Sequence, residues 1–250
     1  MKLTGNTIFI TGGGSGIGRG LAEAFHQHGN KVIISGRRRA TLDNVVKANP
    51  GMHAIELDIT DPASIAAVAK KLIAEHPALN VVINNAGIMQ ADRAQGPVDD
   101  KLLVDTVTTN LIGPVRMTSA LVEHLKTKPN AAIAYVSSVL GFVPMAPTAV
   151  YSATKAAVHS YALSQRFLLK EHGIRVFEIA PPWVRTDLMN SREAELAMPL
   201  DEFITETMAV FATDADEILV ERAKEFRGNP GPNEHGLVNG FNSQAMALFG

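Results

Sequence analysis

The stretch T-I-F-I-T-G-G-G-S-G-I-G, residues 7–18, places a β-branched apolar run directly before a loop that is rich in glycine. Residues 16–28 then have the apolar spacing of an amphipathic helix. A buried strand, a glycine turn and a helix in this order are typical of the first unit of an α/β fold with a parallel sheet. This stretch therefore predicts the organisation of the whole chain.

The rest of the chain repeats this alternation. The predicted strands are 7–11, 31–35, 54–57, 80–84, 131–136 and 174–179. The predicted helices are 16–28, 40–48, 62–75, 99–126 and 151–172. Strand–helix alternation implies right-handed crossovers, with helices on both faces of a parallel sheet. We therefore predict one doubly wound, Rossmann-type α/β domain over residues 1–250, with six to seven strands, the seventh being a short one near 236–240.

Composition and charge narrow the function. The net charge of −2 gives no basic excess for binding nucleic acid or an anionic membrane. There is no cysteine and no H-E-x-x-H motif, so we expect no disulfide, no thiolate nucleophile and no metal site. No apolar run approaches about 18 residues, and the glycine loop comes too soon after the start for a secretory signal. We predict a soluble, cytoplasmic protein.

The glycine loop has the features of a dinucleotide site. Glycines let the N–H groups at a helix N-terminus approach a pyrophosphate. Gly13 and Gly18 have the spacing of a nucleoside-triphosphate loop, but Arg-Gly follows where that loop needs Lys-Ser/Thr, and the literal G-x-G-x-x-G is also absent. What remains is T-G-x-x-x-G-x-G, with Gly12, Gly16 and Gly18. Its place after the first strand favours a bound dinucleotide over a purely structural turn.

The end of the second predicted strand indicates which dinucleotide. An acid there would hold a ribose 2′-hydroxyl, whereas an arginine can hold a 2′-phosphate. The chain reads I-I-S-G-R-R-R, with Arg37 first in the loop and no acid. A charge-assisted hydrogen bond contributes about 1.5–3 kcal/mol. We predict that NADP(H) is preferred over NAD(H), although at least one of the three arginines is expected to be a solvated turn residue.

Tyr151 and Lys155, in Y-S-A-T-K, lie on one face of the last predicted helix because they are four positions apart. Lowering the pKa of a tyrosine by about 3 units needs roughly 4 kcal/mol, and one lysine charge at about 4 Å supplies about that much. We therefore predict that Lys155 lowers the pKa of Tyr151 and makes it a proton donor at neutral pH. The alternative is an ordinary surface pair.

Several short motifs follow one another in a fixed order. They are T-G-G-G-S-G-I-G (11–18), N-N-A-G (84–87), N-L-I-G (110–113), S-S (137–138) and Y-S-A-T-K (151–155). With them the chain resembles the short-chain dehydrogenase/reductase family, in its small single-domain form, over about residues 5–187. The resemblance implies an NAD(P)-dependent oxidoreductase, here an NADPH-dependent carbonyl reductase or secondary alcohol dehydrogenase.

The resemblance also implies catalytic roles. Tyr151 would be the general acid for carbonyl reduction, or the base in the reverse direction. Lys155 would lower the pKa of Tyr151 and hydrogen-bond the nicotinamide ribose. Ser138, with Ser137 as the nearby alternative, would hydrogen-bond the substrate oxygen. Asn110 would hold a water of a proton relay from Lys155, a role that is compatible with capping within the long fourth helix.

A larger set is implied to contact the cofactor. It comprises Gly12, Gly14, Ser15, Gly16, Ile17, Gly18, Arg37, Asp58, Ile59, Asn85, Ala86, Gly87, Tyr151, Lys155, Pro181, Val184 and Thr186. Asp58 would meet the adenine amino group or cap a turn, and Asn85 would serve the sheet more than the ligand. The chain departs from the family at Pro182, which replaces a glycine, fixes φ near about −65° and removes an N–H.

The substrate pocket is predicted to be apolar. We predict that the segment 188–212 is a lid, whose apolar residues line a pocket or else belong to the core. Candidate pocket residues are Ile88, Met89, Phe142, Val143, Met145, Leu188, Met189, Leu196, Met198, Phe203 and Met208. An apolar pocket favours an uncharged ketone or secondary alcohol as the small-molecule substrate.

Two further expectations concern assembly and the rival function. Helices 99–126 and 151–172 are long and partly apolar, and the resemblance implies a homo-oligomer, a dimer or tetramer, that assembles through them. The alternative function is a non-catalytic NADPH-binding or sensing protein on the same fold. A sensor needs only the glycine loop, so the complete Ser, Tyr, Lys and Asn set favours an enzyme. A serine hydrolase is disfavoured because no G-x-S-x-G motif occurs.

Overall fold

The computed structural model describes residues 1–92, 94–228, 231 and 234–249. Its strands are β1 (Thr7–Thr11), β2 (Lys31–Gly36), β3 (His53–Glu56), β4 (Val81–Asn84), β5 (Ala132–Val136), β6 (Arg175–Ile179) and β7 (Glu217–Ile218). The described strands form one parallel sheet in the order β3-β2-β1-β4-β5-β6-β7. This confirms the predicted doubly wound α/β fold.

The helices lie on both faces of this sheet. They are α1 (Gly16–Gln27), α2 (Arg39–Ala48), α3 (Pro62–Glu75), α4 (Asp100–Val107), α5 (Gly113–Lys126), α6 (Ala149–Leu169), α7 (Leu200–Phe211), α8 (Glu221–Gly228) and α9 (Glu234–Phe249). Short 3₁₀ turns occur at Val139–Gly141, Ala146–Thr148, Lys170–His172 and Leu188–Glu193. Within the part of the chain described here, none of the helices combines the length and apolar character needed to cross a membrane.

Side chains of the central strands alternate between two apolar cores. On β1, Ile8 and Ile10 join a core with α1, α2, α7, α8 and α9, whereas Phe9 joins a core with α3, α5 and α6. All three side chains are fully buried. A strand that is covered on both faces needs apolar residues in succession, which explains the unbroken run in the sequence. The carboxyl ends of the strands then lie along one edge, where the connecting loops can form a site.

The direction of winding reverses between β1 and β4. These two strands are neighbours in the sheet although β2 and β3 lie between them in sequence. In open α/β sheets such a switch point leaves a crevice outside the carboxyl ends of the two strands, where ligands bind. The glycine loop follows β1 and N-N-A-G follows β4, so both loops border this crevice.

The predicted helix 99–126 is interrupted. A π-helical turn at Thr108–Ile112 separates α4 from α5, while the backbone keeps right-handed helical dihedrals at Val107 and Gly113. Such turns widen the helix by one residue and occur often at functional sites. Here the turn contains Asn110.

The predicted seventh strand near 236–240 is wrong. Residues 236–240 belong to α9, and the seventh strand is β7, which pairs with β6 through Glu178 and Ile179. The apolar residues of this region recur at helical spacing: Phe241 packs edge-on against Phe226, and Ala245 is buried in the core. That spacing stabilises a packed helix rather than an edge strand.

Candidate active site

The glycine loop after β1 has no room for side chains at Gly12, Gly13 and Gly18. A Cβ at Gly18 would lie 2.4 Å from the carbonyl oxygen of Gly12, and one at Gly12 would lie 2.9 Å from the Cα of Ala86. Gly12 and Gly16 also have positive φ angles, 69° and 53°, which favour glycine. The first N–H groups of α1 have no carbonyl partner within the helix. The loop can therefore bring backbone donors close to a pyrophosphate.

Thr11 and Asn85 brace this loop against the end of β4. The Nδ2 of Asn85 donates to the carbonyl oxygens of Thr11 and Gly12 at 3.0 and 3.3 Å. In return, the Oγ1 of Thr11 accepts hydrogen bonds from the backbone N–H groups of Asn85 and Ala86, both at 3.0 Å. Asn85 thus supports the sheet, as expected. The bracing role of Thr11 was missed because its partner lies far away in sequence.

A cavity of about 860 Å³ extends along the carboxyl ends of the strands from the glycine loop to Tyr151. Its walls include every residue that we predicted to contact the cofactor. The glycines leave space along one wall, Arg37 and Arg38 line one end, and Tyr151 and Lys155 line the other. An elongated pocket with cations at one end and proton-transfer groups at the other fits a nicotinamide dinucleotide.

The three arginines after β2 have different surroundings. Arg37 and Arg38 line the cavity. Arg39 instead donates from Nε to Asp43 on α2 at 2.8 Å, where both side chains are more than half exposed. Arg39 is therefore a solvated turn residue, whereas Arg37 and Arg38 are available to a cofactor phosphate.

Asp58, just after β3, holds its own turn. Its Oδ1 accepts hydrogen bonds from the backbone N–H and the hydroxyl of Thr60 at 2.9 and 2.7 Å. The hydroxyl bond, then the backbone bond, lowers the pKa of Asp58. The turn-capping role is thus present, and because Asp58 also lines the cavity, a contact with adenine is compatible with it.

Ser138, Tyr151 and Lys155 meet between the end of β5 and the start of α6. The Lys155 Nζ donates to the carbonyl oxygen of Val136 at 2.8 Å and lies 5.4 Å from the centroid of the Tyr151 ring. Tyr151 and Lys155 are both buried, and all three residues line the cavity. The Ser138 Oγ accepts a hydrogen bond from the N–H of Leu140 at 3.1 Å, which orients it at the end of the strand.

The prediction that the pKa of Tyr151 is lowered is wrong, because burial outweighs any stabilisation of the phenolate. Burial raises the pKa of Tyr151 to about 12, and a side-chain hydrogen bond with Ser138 opposes this rise. Burial also lowers the pKa of Lys155 to about 8, opposed by the charge of Glu178. Surroundings of low polarity disfavour the charged form of each group, and the ammonium is held by the Val136 carbonyl. At pH 7 the phenol is protonated and the lysine is mostly charged.

Asn110 joins the β4 loop to α6. Its Oδ1 accepts from the N–H of Ile88 at 2.9 Å, and its Nδ2 donates to the Ile88 carbonyl at 2.9 Å and to the Oγ1 of Thr154 at 3.2 Å. It therefore bonds to neighbouring segments instead of capping within its own helix. A Cβ at Gly87 would lie 3.3 Å from this Oδ1 and 3.7 Å from the Lys155 Nζ, which places Asn110 directly behind the wall of the cavity.

The segment after β6 closes the cavity from the opposite side. Pro181 accepts a backbone hydrogen bond from Val139 at 3.0 Å, and Val184 forms a bridge with Met198. The side chain of Thr186 comes within 3.4 Å of the Cβ position at Gly16, so this segment faces the glycine loop. Pro182 lines the cavity where the family resemblance implies glycine, and its missing N–H cannot bind a ligand.

The residues that line the substrate end of the cavity match the predicted set only in part. Within the segment 188–212, Leu188 and Met189 line the cavity and Leu196 is exposed. The remaining predicted lid residues, Met198, Phe203 and Met208, are buried in the core. Of the other candidates, Ile88, Met89 and Met145 line the cavity, and Phe142 and Val143 are not among its lining residues.

The last two helices, α8 and α9, also line the cavity, which the sequence analysis did not predict. Phe226 from α8 and Phe241, Gln244 and Ala245 from α9 line the cavity. Asn242 fixes α9 by donating to the Pro144 carbonyl at 3.0 Å and accepting from the N–H of Ala146, just before α6. The four-residue spacing of Phe241 and Ala245 was a signal for this helix.

Known proteins resemble the chain over most of its length. The family model described as short chain dehydrogenase matches residues 6–197. The chain is 36% identical over 233 residues to "Uncharacterized oxidoreductase DltE" of Bacillus subtilis (strain 168), which covers 91% of this chain and 92% of that protein.

Two solved structures share the fold. One is a short chain dehydrogenase from Burkholderia cenocepacia J2315 in complex with NADP, with 26% identity, a TM-score of 0.84, and coverage of 95% of this chain and 97% of the other. The second is a 3-ketoacyl-(acyl-carrier-protein) reductase from Brucella melitensis complexed with NADH, with 27% identity, a TM-score of 0.77, and coverage of 84% and 91%. Proteins of this fold thus bind either dinucleotide.

Proposed function

Because the chain belongs to the short-chain dehydrogenase/reductase family, we propose that it reduces a carbonyl group to a secondary alcohol, or catalyses the reverse, with Tyr151 as the general acid or base. The observation that carries this proposal is the convergence of Ser138, Tyr151 and Lys155 on one wall of the cavity, with Asn110 immediately behind it.

Tyr151 is suited to the reductive direction. Its pKa of about 12 keeps the phenol protonated at pH 7, so it can donate a proton to a carbonyl oxygen as negative charge develops there. Ser138 can donate a hydrogen bond to the same oxygen. The nearby Lys155 charge stabilises the phenolate that remains after proton transfer. A positioned acid of this kind contributes about 10²- to 10⁴-fold in rate.

The proposed reaction needs a cofactor, because no side chain can supply or accept a hydride. When bound, a nicotinamide dinucleotide would supply or accept the hydride. We propose that the glycine loop and the N-terminus of α1 hold its pyrophosphate, and that Lys155 contacts the ribose nearest the reaction. Ala86, Gly87, Val184 and the remaining predicted contacts line the same cavity. The proposal extends to each of them.

The substitution Tyr151→Phe tests the reaction. We expect turnover of ketones to fall by about two to four orders of magnitude, because only the hydroxyl is removed. Fluorescence titration should show unchanged NADPH binding. Normal turnover in this variant would retire the mechanism, and a wild-type protein that binds NADPH but turns over no ketone or alcohol in a broad panel would favour the non-catalytic binding protein.

We propose that NADPH is preferred over NADH because Arg37 lines the cavity and no acid stands at the end of β2. The variant Arg37→Ser should lower the ratio of kcat/KM for NADPH to that for NADH by about 10- to 150-fold, the equivalent of one charge-assisted hydrogen bond. Arg39→Ser is the matched control, because Arg39 pairs with Asp43, and its ratio should stay unchanged. Equal ratios in wild type and Arg37→Ser would exclude this role.

The substrate is proposed to be uncharged. The cavity surfaces contributed by Met89, Met145, Met189, Phe226 and Phe241 are apolar, and methionine adapts to varied shapes. The segment 188–212 is proposed to act as a lid through Leu188 and Met189. A panel of alkyl and aryl ketones should give higher kcat/KM than matched keto-acids, and a marked preference for keto-acids would contradict the proposal.

Assembly and location are also proposals. Leu163, Phe167 and Leu168 on α6 are exposed, with 82% of Phe167 accessible, and Val104 on α4 is 52% accessible. An apolar surface on these helices supports a homodimer or homotetramer. Light scattering that gives a monomer would refute it. Cell fractionation would test the predicted cytoplasmic location.

A further inference from the structure

A buried carboxylate lies behind the candidate active site. Glu178 is the fourth of the five residues of β6, R-V-F-E-I, and its side chain is 1% exposed. Its Oε1 accepts a hydrogen bond from the Ser137 Oγ at 2.5 Å, and its Oε2 lies 2.6 Å from the His159 Nδ1. Burying a carboxylate is costly even when it is paired, so an acid in a core strand calls for a reason.

The two partners of Glu178 belong to the two elements that carry the reaction groups. Ser137 directly precedes Ser138 at the end of β5. His159 follows Lys155 by four residues on α6, so both lie on one helix face. Glu178 therefore links the end of β5, which precedes Ser138, to α6, which carries Lys155.

The charged and titratable groups around this carboxylate come from several elements. Those on α6 are Tyr151, Lys155 and His159, that on β7 is Glu217, and that on α8 is Arg227. Glu217 is the strand neighbour of Glu178, and it accepts hydrogen bonds from the Arg227 Nε and Nη2 at 2.9 and 3.1 Å. Its charge is thereby compensated by Arg227. The charge of Glu178 instead acts on Lys155 and raises the pKa of that ammonium against the effect of burial.

A bound cation is a weaker interpretation of the same residues. The ligand atoms of His159, Glu178 and Glu217 lie within 4.8 Å of one another. However, Glu178 already accepts from Ser137, and the guanidinium of Arg227 occupies both oxygens of Glu217. A positive guanidinium beside the cluster opposes a second cation.

We propose that Glu178 is a positioning residue, whose buried negative charge supports the Lys155 ammonium from the His159 side of α6 and whose carboxylate, through Ser137, holds Ser138 in place. His159 fixes the carboxylate by its second oxygen. The inference rests on the proposed function, since it assigns Lys155 and Ser138 to the reaction.

The variant Glu178→Gln tests the electrostatic part without turnover. The amide keeps an oxygen for Ser137, and its N–H can donate to the His159 Nδ1 once that ring takes the Nε2–H tautomer, so the charge is removed with little change of shape. In protein without cofactor, NMR titration of lysine labelled at Cε, with Lys155→Met for assignment, should show the pKa of Lys155 falling below the wild-type value of about 8. Glu217→Gln is the matched control and should leave this titration unchanged.

An unaltered Lys155 titration in Glu178→Gln would overturn the proposal, whatever the enzyme's substrate proves to be. A variant that does not fold would also count against it, because it would show that the carboxylate serves the fold itself. Failure of the proposed function would appear differently, as absent turnover in wild type with the titration shift intact.

The pH profile separates positioning from plain stability. In wild type, kcat for carbonyl reduction should fall as pH rises through the Lys155 titration. In Glu178→Gln this basic limb should move to lower pH by about one pH unit, which lowers kcat at pH 8 by about fivefold and at pH 6 by only about a tenth. A loss that is equal at every pH would assign Glu178 a structural role only. Glu178→Asp, which keeps the charge, should restore the wild-type limb.

Discussion

The nucleotide end and the reaction end of the cavity are built in different ways. The nucleotide end is one local loop, residues 11–18, whose missing side chains create the space. The reaction end is assembled from buried polar side chains on separate elements, such as Tyr151 and Lys155 on α6 and Glu178 on β6. Binding at the first end depends on shape, whereas reactivity at the second depends on electrostatics in a poorly solvated environment.

Among variants that alter binding or stability, the largest effect is expected from a change of shape at the nucleotide end. In Gly18→Ala the new Cβ would meet the Gly12 carbonyl oxygen at 2.4 Å and the Asn85 Nδ2 at 2.3 Å. A backbone oxygen cannot rotate away, so the loop must shift. We expect NADPH affinity to fall by about 100-fold, as for other displacements near 1 Å. Isothermal titration calorimetry measures this.

Gly14→Ala is the control within the same loop. Its Cβ would meet the Thr41 methyl group at 3.1 Å, a side-chain contact that can relax. We expect a change in affinity of less than about tenfold, since side-chain contacts of this kind cost little. If the two variants bound NADPH equally, the claim that backbone shape governs this end would be lost.

A change of charge at the reaction end should instead alter stability. The folded-state pKa of Lys155, about 8, lies below its ordinary value of 10.5. The unfolded chain therefore binds more protons between these pH values, and the contribution of this group to the free energy of unfolding rises with pH across that window. Lys155→Met should be inactive yet more stable at pH 7 by about 1–3 kcal/mol.

The advantage of Lys155→Met should shrink between about pH 8 and pH 10. The contribution of Tyr151 to the free energy of unfolding has the opposite pH dependence. Because its pKa is raised in the folded state, this contribution is complete below pH 10.0, the ordinary pKa of tyrosine, and is lost as the pH rises above that value. Urea denaturation at several pH values measures both trends. Lys47→Met, at an exposed lysine on α2, is the control and should change the free energy of unfolding at pH 7 by less than about 0.5 kcal/mol. If Lys155→Met were less stable than wild type at pH 7, burial of the Lys155 charge would not be destabilising.

The smallest effect is expected at the outer wall of the reaction end. Asn242→Ala removes the hydrogen bonds that hold α9 to Pro144 and Ala146. We expect KM for ketones to rise by about two- to tenfold, in keeping with one or two hydrogen bonds at a partly exposed site, with NADPH affinity unchanged. Ser243→Ala is the control, because its hydroxyl donates to the Asn239 carbonyl of the same helix. An unchanged KM would remove α9 from the substrate pocket.

The sequence predicted the features that depend on neighbouring residues. Strand and helix positions followed from apolar periodicity, and the glycine loop followed from spacing after β1. The errors have physical causes. The glycine and asparagine residues of the segment 236–240 are typical of turns, which led to the prediction of a turn and a short strand. The segment is helical because the four-residue spacing of Phe241 and Ala245 lets both side chains pack against the core. Phe203 and Met208 are core residues because α7 packs against α1 and β7, and Met198, just before α7, is buried where it bridges to Val184.

What the amino-acid order determined by itself is the fold class and the glycine loop, together with the choice of Tyr151 and Lys155 as the residues proposed for proton transfer, because these depend on periodicity and short spacings. Only the tertiary structure decided the protonation of Tyr151, the placement of Glu178 behind Lys155, and the closure of the cavity by α9. Each of these depends on how much water a side chain loses and which distant charge replaces it. Those quantities exist only when segments far apart in the chain are packed together.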